Sequence, residues 1–308
     1  MKIAIIGAGA MGGLFGARLT SAGEEVWLVD TAEETIRAIS QNGLTLDDAA
    51  GVAVTRPQAV TQASSVGPAD LIIVFVKAWA TPAAAKAARD LLKADTAVLT
   101  LQNGCGNAEI LAAELGSERI IAGTTSQGAS LLRPGHVLHG GSGDTQIGEV
   151  TGHMSPRLAQ IAGVLTGAGI PTRPVGDISP FIWGKLLVNA GINAVTALTR
   201  LANGQLAEFA ETRELVAAAV QEAAAVAGAA GVTLPYPDPV AAVFSVAKAT
   251  ARNRSSMLQD VLAGRPTEVA AINGVIVREG ERLGVPTPAN RLLTSLVLAL
   301  SKGQRAEP

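Results

Sequence analysis

The feature that most constrains this chain is the alternation of short apolar runs with helix-type segments over about its first 150 residues. The run at 70–76, Asp-Leu-Ile-Ile-Val-Phe-Val, is continuously apolar, as in parallel strands buried on both faces. Such alternation predicts right-handed βαβ units and an α/β fold with a doubly wound sheet. Strands are predicted at 2–6, 25–29, 70–76, 96–102 and 120–124, with a minor strand at 52–56, and helices at 11–22, 32–42, 82–92 and 108–115.

The pattern changes in the second half of the chain. Residues 128–148 have the turns and short runs of an antiparallel meander, and a helix at 155–168 precedes an extended segment at 170–175. Beyond about residue 177 only helices are predicted. We therefore expect two domains, 1–176 and 177–308, with a cleft between them. The helices of the second are expected at 178–201, 206–229, 239–249, 256–262, 268–283 and 289–300.

A glycine motif joins the first predicted strand to the first predicted helix. It reads Gly7-Ala-Gly9-Ala10-Met11-Gly12. The first glycine permits a tight turn, the second lets a pyrophosphate approach the backbone, and the third lets helix and strand pack closely. The helix N-terminus attracts phosphate. The first domain is therefore predicted to be a Rossmann-type dinucleotide-binding domain; the alternative is a tight turn without a ligand.

Three further polar residues follow predicted strands of the same domain. Asp30 ends the second strand, 18 residues after Gly12, where an acid accepts hydrogen bonds from the adenosine ribose and repels a 2′-phosphate. Its alternative role is the N-cap of the next helix. Lys77 and Asn103 follow the strands at 70–76 and 96–102, where they could meet the nicotinamide ribose or the substrate, although isolated loop residues of these types are unremarkable.

Lys185, Asn189 and Asn193 are spaced by four inside an apolar run, which places them on one stripe of a helix. A buried ammonium is unfavourable unless something pairs with it. An ammonium group with two amide side chains beside it can bind an anionic carbonyl compound. The alternative is a lysine that extends along the helix rim to solvent.

A second polar group comes later, at Asn253-Arg-Ser-Ser256 and Thr-Glu268. Ser256 and Glu268 each begin a predicted helix, so both are also candidates for capping or first-turn residues. The functional hypothesis is that Ser256 binds a carboxylate, with its hydroxyl and the amides of the helix N-terminus, and that Glu268 pairs with Lys185 or with a ligand hydroxyl.

Composition excludes several classes of protein. The formal charge of −2 and the absence of a basic run give no general attraction for nucleic acid or anionic membranes. The single cysteine, Cys105, allows no intramolecular disulfide and fits a cytoplasmic location. No Cys/His spacing indicates a metal site, and the three histidines are expected in solvated loops. We expect no signal peptide and no membrane span, and an alanine-rich helical half could bury the face of a homodimer.

Lys185 and a nicotinamide cofactor together indicate a reaction. A ketone that receives hydride develops negative charge on its oxygen and needs a proton. A lysine with the usual pKa of about 10.4 is charged at neutral pH and supplies both stabilisation and the proton.

The motifs together resemble the 2-dehydropantoate 2-reductase (ketopantoate reductase) family over nearly the whole chain. The resemblance rests on the glycine motif, Val-Lys77-Ala-Trp, Gln-Asn103-Gly-Cys-Gly-Asn, Trp-x-Lys185-Leu-x-x-Asn189-x-x-x-Asn193-x-x-Thr-Ala, Asn203-Gly-x-Leu, Asn253-x-Ser-Ser256-Met-Leu-Gln-Asp and Thr-Glu268-x-x-x-Ile-Asn-Gly.

The resemblance implies the reduction of ketopantoate to D-pantoate, on the route to pantothenate and coenzyme A. Lys185 would be the general acid and Glu268 its partner, with Lys77 and Asn103 near the nicotinamide. The remaining polar residues of the motifs would hold the substrate, a small 2-keto acid: Asn189, Asn193, Asn203, Asn253 and Ser256.

One position departs from the family pattern. Members that use NADPH commonly carry an arginine just past the second strand, where this chain has Asp30-Thr31. NAD(H) is therefore the expected cofactor, with NADP(H) as the family's usual one. The alternatives are an NADH-dependent D-2-hydroxyacid dehydrogenase of the same family, a non-catalytic NAD-sensing protein and a β-hydroxyacid dehydrogenase, of which the last fits the Asn253–Glu268 motifs less well.

Overall fold

The computed structural model describes residues 1–306. The chain divides into two compact units, which we call the α/β unit (Met1–Gln102 with Asn107–Ile178) and the helical unit (Asn103–Gly106 with the residues from Ser179 onward). The main division lies two residues from the predicted one. Segment 103–106, by contrast, groups with the helical unit, whereas it was predicted to belong to the first domain.

The α/β unit contains twelve strands and five helices within the described residues. The strands are β1 (Lys2–Ile6), β2 (Glu25–Val29), β3 (Leu44–Asp48), β4 (Gly51–Thr55), β5 (Gln58–Val60), β6 (Leu71–Val74), β7 (Ala97–Thr100), β8 (Ile120–Thr125), β9 (Gly128–Arg133), β10 (His136–Gly141), β11 (Thr145–Glu149) and β12 (Thr172–Pro174). The helices are α1 (Ala10–Ser21), α2 (Glu33–Asn42), α3 (Thr81–Ala88), α4 (Asn107–Leu115) and α5 (Pro156–Gly167).

The main sheet has the strand order β12-β11-β8-β7-β6-β1-β2-β5, and the six strands from β8 to β5 in this order are parallel. Its central strands β1, β6 and β7 are almost entirely buried, as their apolar runs predict. β1 pairs with β2 on one side and β6 on the other, so the strand order reverses at β1. The predicted doubly wound α/β fold is confirmed, and such a reversal is where these sheets bind ligands.

The predicted meander is wrong in its pairing. β9 and β10 do form an antiparallel pair, but β10 also lies parallel to β3 in a separate sheet of order β4-β3-β10-β9. β11 instead joins the main sheet, antiparallel to β8. A two-residue period predicts strands but not their neighbours. The strand β5 was missed because it has only three residues, and β3 was missed because it ends in two aspartates, which are depleted in strands.

The helical unit contains α6 (Ser179–Thr199), α7 (Ala210–Ala229), α8 (Pro239–Ala249), α9 (Ser256–Leu262), α10 (Asn273–Leu283) and α11 (Pro288–Ala306). Helix α6 contacts α7, α8, α9 and α11, so it is the central helix of this unit. The helix expected from residue 268 begins only at Asn273, because residues 269–271 form a separate 3₁₀ turn.

Helix α6 is the one helix among the described residues that is long and apolar enough to cross a membrane. In this structure 61% of its most apolar window is buried within the protein. The buried core helix of a globular protein passes the same length and composition test.

Candidate active site

The glycine motif has the geometry that each of its three glycines requires. Gly7 has a φ of +107°, and a Cβ there would lie 2.8 Å from the backbone nitrogen of Val76. A Cβ on Gly12 would lie 1.8 Å from the carbonyl oxygen of Gly7, so only glycine lets α1 start against the turn. A Cβ on Gly9 would meet nothing within 4 Å, and Ala10 and Met11 beside it are partly exposed. This open backbone at the start of α1 fits a bound pyrophosphate.

Asp30 holds the turn that precedes α1. Its Oδ2 accepts the Ala8 N–H at 2.7 Å, and its Oδ1 accepts the Ala32 N–H at 2.9 Å. The N-cap of α2 is Ala32, so Asp30 is not the cap that its alternative role required. Each carboxylate oxygen can accept a second hydrogen bond, which leaves Asp30 able to receive ribose hydroxyls.

The loop that follows β6 is tied to the end of β7 by Gln102. The Gln102 side chain donates to the Val76 carbonyl at 2.7 Å and to Thr81 Oγ1 at 2.9 Å, and it accepts from Thr100 Oγ1 at 2.9 Å. This network fixes the backbone on which Lys77 lies, half-buried, just before α3. Sequence reasoning did not single out Gln102 or Thr81, because only tertiary structure brings these strand ends together.

Asn103 lies in the segment that groups with the helical unit. Gly104 next to it has a φ of +85°, and a Cβ there would lie 2.3 Å from the Ala271 carbonyl oxygen. The same carbonyl accepts the Cys105 N–H at 3.2 Å. The backbone of Asn103–Gly106 is therefore packed directly against the turn that follows Glu268.

Lys185 lies on α6 with only part of its side chain accessible to solvent. Loss of hydration lowers the pKa of its ammonium from the usual 10.5 to about 8, while the negative charge of Glu268 opposes this shift. A lysine that simply extended into water would keep its ordinary pKa. This lowered pKa does not fit the rim-lysine alternative, and it makes Lys185 a candidate proton donor close to neutral pH.

Glu268 is buried, with 8% of its surface exposed, rather than a solvated first-turn acid. It precedes the 3₁₀ turn Val269–Ala271, and its carbonyl accepts the N–H groups of Ala271 and Ile272. The turn thus holds the carboxylate within electrostatic range of Lys185. Burial of a carboxylate is tolerated where a cation accompanies it.

The two asparagines in step with Lys185 are also largely enclosed. Asn193 has 5% of its surface exposed and Asn189 is half-buried. The Nδ2 atom of Asn189 is buried and has no hydrogen-bond partner among the described residues. Because buried amide donors are nearly always paired in proteins, this donor fits a ligand oxygen one turn from Lys185.

Asn203 and Asn253 lie in one small network, but only one of them faces solvent. Asn203 donates from Nδ2 to Thr250 Oγ1 at 2.9 Å, and its N–H donates to the Asn253 carbonyl at 3.0 Å. Asn203 therefore holds the backbone of residues 250–253 through its side-chain amide and its N–H, whereas the side chain of Asn253 is exposed.

The start of α9 differs by one residue from the predicted capping. Ser255, not Ser256, is the N-cap, and its Oγ accepts the Leu258 N–H at 3.1 Å. Ser256 is the first helical residue and is exposed. The sequence has two adjacent serines, and local preference does not decide which of them caps the helix.

A buried polar cluster in the helical unit was not predicted from the sequence. Asn273 donates to the Ala190 carbonyl at 3.1 Å and to Asn290 Oδ1 at 3.0 Å. The Glu222 carboxylate accepts the N–H groups of Ala289 and Asn290, which begin α11. This cluster joins α6, α7, α10 and α11, and it anchors α6 at the residue next to Asn189.

A dinucleotide-type α/β unit joined to a helical unit with a tuned lysine defines a nicotinamide-dependent oxidoreductase. The family models describe it more closely. Residues 3–152 match the model of ketopantoate reductase PanE/ApbA, and residues 177–301 match the model of its C-terminal part. The chain belongs to the ketopantoate reductase PanE/ApbA family.

Full-length relatives carry the same name. A 2-dehydropantoate 2-reductase of Halobacterium salinarum is 37% identical over 96% of this chain and 98% of its own length. The relative from Archaeoglobus fulgidus is also 37% identical, over 98% of both chains.

Solved structures include two kinds of relative. A ketopantoate reductase of this family from Ralstonia eutropha superposes with a TM-score of 0.92 at 35% identity, over 99% of this chain and all of its own. A D-mandelate dehydrogenase solved with NADH and anilino(oxo)acetate gives 0.93 at 32% identity, over 99% of this chain and all of its own.

Proposed function

We propose that this chain reduces 2-dehydropantoate (ketopantoate) to D-pantoate, the step that leads toward pantothenate and coenzyme A. The observation that carries the proposal is Lys185, an enclosed lysine whose pKa is lowered to about 8 in the presence of Glu268. A bound nicotinamide cofactor supplies the hydride. Lys185 stabilises the negative charge that develops on the keto oxygen and gives that oxygen its proton. A cytoplasmic location fits both this activity and the single cysteine.

The other polar residues of the helical unit bind the substrate in this proposal. The unpaired Asn189 Nδ2 and the enclosed Asn193 hold oxygen atoms of the keto acid near Lys185. The exposed Asn253 and Ser256 receive its carboxylate and hydroxyl. Asn203 acts indirectly, since it supports the backbone of Asn253. Lys77 and Asn103 are the residues proposed to contact the nicotinamide.

The test is a turnover assay with ketopantoate and with branched and aromatic 2-keto acids, using NADH and NADPH separately. The parent should reduce ketopantoate, and Lys185→Ala should lower turnover by about 10² to 10⁴, the usual contribution of a general acid. Lys248→Ala, at an exposed lysine of the same unit, is the matched control and should remain at parent level. Near-normal turnover by Lys185→Ala would remove this residue from the mechanism.

A second candidate function is that of an NADH-dependent D-2-hydroxyacid dehydrogenase. The high structural similarity to D-mandelate dehydrogenase favours it. The same assay separates the two candidate functions. If the chain reduces the keto acid that corresponds to mandelate faster than it reduces ketopantoate, that acid is the substrate. A chain that binds NADH but reduces none of these acids would instead be a sensor.

We also propose that NADH is preferred over NADPH. Asp30 directly follows β2, the position from which an acid in this fold meets the adenosine ribose and repels a 2′-phosphate. The next residue is Thr31 rather than arginine, and Glu33 and Glu34 begin α2. Three carboxylates disfavour an added phosphate charge.

The double variant Asp30→Asn/Thr31→Arg tests this cofactor preference. Asparagine keeps an oxygen that can accept the Ala8 or Ala32 N–H, so the turn should survive. The ratio of kcat/KM for NADPH to that for NADH should rise at least tenfold. A parent that already prefers NADPH would contradict the proposal.

A further inference from the structure

Two buried hydroxyl groups join α6 to the start of α9. Thr196 Oγ1 and Ser255 Oγ are 2.7 Å apart, and the residues are 0% and 6% exposed. Thr196 Oγ1 also lies 2.8 Å from the Ile192 carbonyl oxygen and 3.0 Å from that of Asn193. Ser255 Oγ accepts the Leu258 N–H at 3.1 Å.

The available hydrogens give this chain of contacts a direction. The Thr196 hydroxyl has one hydrogen, which is directed at the Ile192 and Asn193 carbonyls. With that hydrogen used on the carbonyls, Ser255 donates its own hydrogen to Thr196 Oγ1, while it accepts from Leu258. This assignment satisfies every donor, and it links the backbone of α6 to the first turn of α9.

The position of the pair has a consequence for the substrate site. Thr196 lies three residues after Asn193, so it continues the stripe of Lys185, Asn189 and Asn193 on α6. Ser255 lies between Asn253 and Ser256. A serine N-cap needs only the Leu258 N–H, so the contact with Thr196 adds a constraint beyond capping.

We propose that Thr196 and Ser255 are positioning residues, which set the distance between the α6 stripe and the segment 253–256 so that both engage one keto acid. The proposal rests on the proposed function. Carboxylate binding is shared by the ground state and the transition state, so loss of this positioning should raise KM and leave kcat nearly unchanged.

The test compares Thr196→Val, Thr196→Ser and Thr199→Val in the full chain. Valine keeps the shape of threonine and removes the hydroxyl. Thr196→Val should raise KM for the keto acid about tenfold, with kcat within about twofold and the Kd for NADH unchanged. Thr196→Ser restores the hydroxyl and should restore KM. Thr199 Oγ1 bonds only within and just beyond α6, so Thr199→Val should keep the parent KM.

Each outcome decides something. A parent-like KM in Thr196→Val, or a tenfold rise that Thr196→Ser does not reverse, would overturn the positioning role. Should Thr196→Val not fold, Ser255→Ala removes the other hydroxyl and must raise KM in the same way; an unchanged KM there overturns the proposal. A parent that reduces no keto acid defeats the proposed function first, and this inference with it.

Discussion

At the scale of single residues, the decisive quantity is the pKa of Lys185. Burial lowers it to about 8 and the charge of Glu268 opposes the change. A lysine at its usual pKa would remain fully charged well above neutral pH. With a pKa of about 8, Lys185 can lose its proton near neutral pH, so in the proposed function this group gives a proton in reduction and takes one in oxidation.

This pKa predicts the pH dependence of reduction. In the proposed function the protonated lysine is the active acid, so kcat/KM for reduction should be constant below about pH 8 and fall about tenfold per pH unit above it. Glu268→Gln removes the charge that raises the pKa of Lys185, so the break should move to lower pH. Glu208→Gln, at an exposed glutamate of the same unit, should leave the break unchanged. An unmoved break in Glu268→Gln would show that Glu268 does not act on Lys185 electrostatically.

At the scale of elements, α6 depends on glycine where other helices approach it. A Cβ on Gly191 would lie 2.8 Å from Val220 Cγ2 and 3.0 Å from Val243 Cγ1, which belong to α7 and α8. Added volume at this point would therefore push α7 and α8 away from the helix that carries Lys185, because packed cores do not accept it without strain.

The packing predicts that two glycine-to-alanine substitutions change the free energy of unfolding in opposite directions. Alanine is favoured over glycine inside a helix by about 1 kcal/mol. A Cβ added at Gly228 of α7 would meet nothing within 4 Å, so Gly228→Ala should raise the free energy of unfolding by about 0.5–1 kcal/mol. Gly191→Ala should lower it by about 1–3 kcal/mol, because the clash outweighs the propensity. Denaturant unfolding of both variants measures the difference, and stabilisation by Gly191→Ala would refute the close packing.

At the scale of the whole molecule, the residues proposed for cofactor binding and for proton donation belong to different units. The glycine motif lies in the α/β unit, and Lys185 and Glu268 lie in the helical unit. Each unit has its own apolar core, centred on the main sheet in one and on α6 in the other. Binding and chemistry should therefore be separable by mutation.

Thermal unfolding with NADH tests this separation. A ligand at a hundred times its Kd stabilises the protein that binds it by about 2.7 kcal/mol. Lys185→Ala should keep the full rise in Tm while it loses turnover. A Cβ at Gly9 would meet nothing within 4 Å, and Gly9→Glu places a carboxylate where the pyrophosphate would approach, so this variant should lose the rise. A full NADH-induced rise in Gly9→Glu would mean that the cofactor binds elsewhere.

The amino-acid sequence by itself determined the local features. The order of βαβ units, the tight turn at Gly7 and the stripe of Lys185, Asn189 and Asn193 follow from backbone geometry and residue spacing. Each depends on neighbours within a few positions along the chain, so periodicity and glycine placement are enough to predict it.

Only the tertiary structure decided the long-range features. Pairing of β10 with β3, packing of Gly104 against Ala271 and the contact between Thr196 and Ser255 join residues far apart in sequence. The pKa of Lys185 depends on the same kind of information, because desolvation and the proximity of Glu268 arise only when the helical unit is folded. The periodicity of a segment does not indicate which distant segment will pack against it.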